Sequence, residues 1–127
     1  MSGKWVLDTN IILGYMRGNE VLNSLLKNKG DDVELIASVI SRVELFSYKF
    51  MTIDETRAIR HLLRYITIVD FNKQVERVTI TLRRHTKAKL PDAIILATAV
   101  VLNAPLYTFD RRLAGISWEG LQTIIPD

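Results

Sequence analysis

Leu90 to Asp110 reads LPDAIILATAVVLNAPLYTFD, and the reading of this stretch decides the fold. Pro91 suits the first turn of a helix, where its missing amide hydrogen costs nothing. The apolar run Ala93 to Leu102 follows, interrupted only by Thr98. Asn103 ahead of Ala104 and Pro105 marks the stop. Leu106 to Phe109 then reads as a short strand that closes on Asp110. A strongly apolar helix followed at once by an apolar strand is expected where a parallel sheet is covered by helices on both faces.

The same alternation runs back to the N-terminus. Short β-branched or apolar runs occur at Trp5 to Leu7, Val33 to Ala37, Ile66 to Val69, Leu106 to Phe109 and Thr123 to Ile125. The gaps between the first four have helical periodicity and room for two helices each. Ile11 to Arg17 and Glu20 to Asn28 fill the first gap. Val39 to Phe50 and Asp54 to Tyr65 fill the second, and Lys73 to Thr86 and Asp92 to Asn103 the third. Thr52 with Glu55 three residues on predicts a capping box. No linker, repeat or low-complexity tract breaks the pattern, so residues 1–127 are expected to form one α/β domain.

Bulk composition narrows the classes of function. Hydrophobic residues make up 48% and charged residues 24%, which fits a globular chain rather than a disordered or fibrous one. The absence of cysteine excludes a disulfide framework and any thiolate metal site. The run Ala93 to Leu102 is far short of the roughly 20 residues that cross a bilayer. MSGKWVLDTN lacks the apolar core of a secretory signal, so a cytoplasmic location without membrane partners is expected. The formal charge of +3 is compatible with a nucleic-acid partner. Basic residues cluster at Arg83, Arg84, Lys87 and Lys89, around His85, and again at Arg57, Arg60 and Arg64, beside His61, along one side of a helix. Either cluster reads most simply as a solvated face.

In a parallel sheet, ligands gather beyond the carboxyl ends of the strands. Asp8 in VLDTN follows the first strand, Asp110 follows LYTF, and Asp92 sits in the first turn of the apolar helix. Each could simply cap a helix or complement its dipole. Asp70 also follows a strand, but Asn72 can cap the next helix, and Asp70 reads as structural. Glu44 is harder to explain that way. In SVISRVELFSYKF, Val39, Val43, Phe46 and Phe50 form an apolar stripe with Glu44 at its edge. A carboxylate there needs compensation, from Arg42 or from a cation shared with the strand-end acids. Carboxylate ligands select hard cations such as Mg²⁺ or Mn²⁺, which support phosphodiester hydrolysis.

At these residues the sequence resembles the PIN-domain family, particularly the VapC-type toxins of toxin–antitoxin pairs. The matching pieces are VLDTNIIL, IASVISRVEL ending on Glu44 and Leu45, LPDAIILATAVVLNAPLYTFD and the following RRL, in order from Val6 to Leu113. The resemblance implies a Rossmann-like three-layer α/β/α domain with a central parallel sheet of about five strands. It implies a metal-dependent endoribonuclease binding one or two Mg²⁺ or Mn²⁺ ions. Asp8, Glu44 and Asp92 would be the central ligands, Asp110 a fourth acid often acting through water, and Thr9 or Asn10, with Thr108, the polar groups that shape the site. It further implies single-stranded or structured RNA such as tRNA as substrate, products with a 5′-phosphate and 3′-hydroxyl, a homodimer, and a cognate antitoxin that inserts into the acidic groove. Arg83, Arg84, Lys87 and Lys89 could supply phosphate contacts. A small residue is common soon after the EL of this family, whereas this chain continues FSYKF, which bears on the groove for antitoxin or RNA. The competing reading keeps the fold without turnover, as an RNA- or protein-binding module. A phospho-acceptor reading of Asp8 fails on Asn10, where a phosphatase would want a second acid, and on MSGKW, where a receiver-like site would want an acidic pair.

Overall fold

The computed structural model describes residues 3–127. Met1 and Ser2, within the expected domain and the MSGKW reading, lie outside them. Strands β1 (Gly3–Leu7), β2 (Val33–Ser38), β3 (Thr67–Val69), β4 (Leu106–Tyr107) and β5 (Thr123–Ile124) form one sheet in the order β3-β2-β1-β4-β5. Every pairing is parallel, with Val6 opposite both Ile36 and Leu106, and Leu7 opposite Tyr107.

Successive side chains of a strand point to opposite faces, and here each face has its own core. Val6, Ile36 and Leu106 pack on one side, Leu7, Ala37 and Tyr107 on the other. Helices α1 (Thr9–Met16), α2 (Glu20–Asn28) and α4 (Ile53–Leu63) cover the Leu7 face through Ile11, Ile12, Leu22 and Ile59. Helices α5 (Lys73–His85), α6 (Leu90–Leu102) and the short α7 (Arg111–Ala114) cover the Val6 face through Val75, Leu82, Leu96 and Leu113. The result is the expected three-layer α/β/α arrangement around a parallel sheet. Each fully buried Leu or Ile contributes about 1.5–3 kcal/mol, so these two cores carry the fold.

The boundary chemistry is largely as expected. The Thr52–Glu55 capping box is formed in both directions, Pro91 lies in the first turn of α6, and Asn103 ends that helix in the left-handed region at φ 51°. Asn72 caps α5 by accepting from the Val75 amide, which leaves Asp70 exposed beyond the edge strand β3.

The helix carrying Glu44 departs from expectation. α3 spans Val39–Phe46 and ends well short of Phe50. The Ser47 backbone N–H donates to the Glu44 carbonyl, while the Ser47 hydroxyl donates to the Val43 carbonyl. The stripe of Val43, Phe46 and Phe50 faces solvent, at 56%, 41% and 97% exposure. Ser41 and Leu45 are the buried residues instead. The reason is placement: α3 crosses the carboxyl edge of the sheet, with Ile40 against one core and Leu45 in the other. Its inward face is therefore fixed by what stands at that edge. α7, with Asp110 as its cap, was also not expected from the sequence.

Candidate active site

The chain leaves β1 for β2 and β3 on one side, then returns to β4 and β5 on the other. β1 and β4 thus flank the point where the winding reverses, and in open α/β sheets a crevice forms there beyond the strand ends. Asp8 follows β1, and Thr108 and Asp110 follow β4. The sequence places polar residues where this topology opens a crevice.

Asp8 caps α1 and is a candidate ligand at once. Its Oδ1 accepts from the Thr9 amide at 2.8 Å, and its Oδ2 accepts from the Thr108 hydroxyl at 2.6 Å. The side chain is only 6% exposed. Thr108 Oγ1 in turn accepts from the Asp110 amide at 3.0 Å, and Asn10 Oδ1 accepts from the Phe109 amide at 3.2 Å. These bonds lock the segment after β4 to the segment after β1.

On the other flank, the Thr9 hydroxyl lies 2.6 Å from Glu44 Oε1 and 2.9 Å from Ser41 Oγ. A hydroxyl has one proton, so Thr9 donates to the carboxylate and meets Ser41 as acceptor. The compensation expected for Glu44 from Arg42 is supplied here by Thr9. Ser41, fully buried, was part of the motif but had been given no role; its spacing of three from Glu44 on one helical face was the available signal.

Asp92 sits in the first turn of α6, whose cap residue Lys89 makes no side-chain cap bond. Asp110 Oδ1 accepts from the Arg112 and Leu113 amides, and its Oδ2 stands 3.5 Å from the Arg112 guanidinium. A cleft of about 360 Å³ opens beside these two acids, lined also by Lys87, Lys89 and Arg112. Arg112 was not singled out by the sequence reading. Of the basic residues that were, Lys87 and Lys89 line the cleft, and Arg83 donates to the Ala88 carbonyl and so braces the loop that carries them. Arg84 is exposed. In the second cluster, Arg60 lies over the Phe46 ring at 5.7 Å.

The acids sense one another. Burial pushes the Asp8 carboxyl above its ordinary value, the Thr108 and Thr9 hydrogen bonds pull it back, and the charges of Asp92 and Glu44 push it further up. Burial likewise raises Asp92, reinforced by Asp110 and Glu44 and opposed by Arg112 and Lys89. Such mutual repulsion is what a divalent cation relieves, and the donor set is all oxygen. As the side chains stand, no group of three or more histidine or acidic residues among the described residues is gathered as an ion requires. Asp110 is turned onto α7 and Arg112. The chemistry of the donors fits a hard cation.

Fold and site together define a class: Rossmann-like α/β/α domains with carboxylates gathered at the point where the sheet's winding reverses. The PIN domain model matches residues 5–119, and the chain belongs to that family. Solved structures of the same fold include a toxin–antitoxin complex from Klebsiella pneumoniae, at 26% identity over 91% of this chain and 93% of that one, with a TM-score of 0.76. VapBC2 from Rickettsia felis, bound to a DNA fragment from its promoter, superposes with a TM-score of 0.83 at 19% identity, covering 98% and 99% of the two chains. VapBC-1 from nontypeable Haemophilus influenzae gives 0.75 at 23% identity, covering 96% and 97%. No curated protein matches the chain in sequence. Among the described residues no helix is long and apolar enough to cross a membrane.

Proposed function

We propose that residues 1–127 form one PIN domain that hydrolyses RNA phosphodiester bonds with Mg²⁺ or Mn²⁺, and that it is the toxin of a toxin–antitoxin pair. The observation that carries this reading is the convergence of Asp8, Glu44 and Asp92, from three different elements, closely enough that the charges of Asp92 and Glu44 act on buried Asp8, and that of Glu44 on Asp92. A structural cap needs no such company. Asp8, Glu44 and Asp92 would hold the metal, with Asp110 completing the acidic set. A bound ion supplies Lewis acidity and an activated water near neutral pH. The chain's own part is orientation: Thr108 and the Thr9 amide fix the Asp8 carboxylate, and the Thr9 hydroxyl fixes that of Glu44.

An antitoxin and a second copy of the chain are the protein partners of this reading. It is supported by the complexes among the solved relatives and by apolar side chains left open on and after α3, where Phe50 and Ile53 are 97% and 74% exposed. The alternative, a PIN module that binds RNA or protein without turnover, would leave the repulsion among the acids without a purpose.

Incubating the purified chain with single-stranded RNA and with tRNA in Mg²⁺ or Mn²⁺ tests the reading. Cleavage to fragments bearing 5′-phosphates is expected, abolished by chelator and by Asp92→Asn. RNA that is bound but left intact with every metal would establish the binding module instead.

A further inference from the structure

The cleft beside Asp92 and Asp110 combines three kinds of wall. Lys87, Lys89 and Arg112 give it positive charge, and Ala88, Leu113 and Ile116 give it an apolar floor. Arg112 is held only lightly, since its side chain is 81% exposed and its distance to Asp110 is 3.5 Å. Exposed pairs of this kind exchange partners at little cost.

The two segments that build the cleft lead away from the acids to a pair of rings. His85 precedes Lys87 by two residues, and Trp118 follows Ile116 by two. Their ring centroids are 6.4 Å apart with the planes tilted by 40°. Trp118 is anchored against the α5–α6 core and borders a shallow concavity with Ser117 and Glu119, while His85 is exposed. A half-buried indole at the border of a concavity can serve as a stacking platform. Bases stack on such rings regardless of sequence, and basic grooves guide the backbone between them.

Resting on the ribonuclease reading above, we propose that one unpaired RNA strand runs from the acids through this cleft, its successive backbone phosphates held by Lys87, Lys89 and Arg112 and its next base stacked on Trp118. The bases also offset what the acids impose, because a phosphate approaching Asp92 and Asp110 alone would be repelled.

The test uses the full chain carrying Asp8→Asn, which does not line the cleft, and Trp5→Phe, which leaves Trp118 as the sole tryptophan. Titration with a short single-stranded oligoribonucleotide is expected to quench Trp118 emission. Lys87→Gln, Lys89→Gln and Arg112→Gln should each reduce the slope of log affinity against log salt by about 0.7, the increment for one phosphate contact on a single strand. Trp118→Leu should weaken binding about five- to a hundred-fold with the slope unchanged. Arg57→Gln and Arg64→Gln on α4 should leave the slope alone.

Binding without quenching, a slope indifferent to all three cleft substitutions, or equal affinity for a matched duplex each overturns the proposal. If Trp118→Leu does not fold, the quench in the parent background decides. Should the chain with Asp8 intact cut no RNA while quench and slope persist, the ribonuclease reading fails and the strand path stands. Should RNA be cut with neither signal present, the path alone fails.

Discussion

The two halves of the site are built on different principles. Asp8 and Glu44 are held by hydroxyls: Thr108 and Thr9 each place a bond of 2.6 Å on a carboxylate, and Ser41 backs Thr9. Asp92 has no such brace, and Asp110 is held by the amides of the short helix it caps. Both line an open cleft, where Arg112 and Lys89 at the rim offset the charge on Asp92. The first half spends folding energy on geometry, because a buried carboxylate must be fully hydrogen-bonded to persist. The second half leaves Asp92 unbraced beside the cleft. On the proposed ribonuclease function, a site that orients a reaction and also admits a polymer gains from dividing the tasks in this way.

The comparison is broken most directly at Asp8. Asp8→Asn retains the cap and the hydrogen-bonding shape but removes the charge, so RNA cleavage should fall by at least about 10²-fold. Thermal stability in chelator should not fall with it. Burial holds the folded Asp8 carboxyl above the ordinary value of 3.8, so its ionised form costs stability at neutral pH. That cost disappears as the pH drops through the raised folded value toward 3.8, and the stability advantage of Asp8→Asn should shrink in the same window. An advantage that grows on acidification would contradict the assignment.

Thr108→Val sharpens the comparison. It strips Asp8 of a donor and the Asp110 amide of its acceptor. A loss of about 1–3 kcal/mol in a urea melt is expected, together with about a 10- to 100-fold loss of cleavage. Substitutions of the bracing hydroxyls should thus lose stability and activity together, whereas Arg112→Gln on the open side should leave the melt unmoved. The smallest effect is a control far from both halves. Thr52→Ala removes the cap of α4 and should cost about 1 kcal/mol with cleavage unchanged.

Much of this architecture was legible because local rules and global placement agreed. The period-two alternation of Val6 and Leu7, or Leu106 and Tyr107, names the two cores, and Pro91 and Asn103 bound α6. The order of the acids gave the candidate site before any coordinate did, and the fold brings Asp8, Glu44 and Asp92 within electrostatic reach. α3 was misread because apolar residues occur on more than one of its faces, and periodicity alone cannot say which is inward. Tertiary placement decided for Ser41 and Leu45 over Val43 and Phe46. Arg112 escaped notice for a related reason: its role depends on α7, a helix of four residues too short to register as a pattern.

The Thr108–Asp8 bond joins residues 100 positions apart. Such a contact closes a long loop, and its entropy must be met before the bond gives anything back. On a ribosome, β1 through β3 and six helices are already made before β4 emerges to complete the candidate site. Asp8 therefore gains its hydroxyl partner, and the acidic set its fourth member, only with the arrival of the final strands.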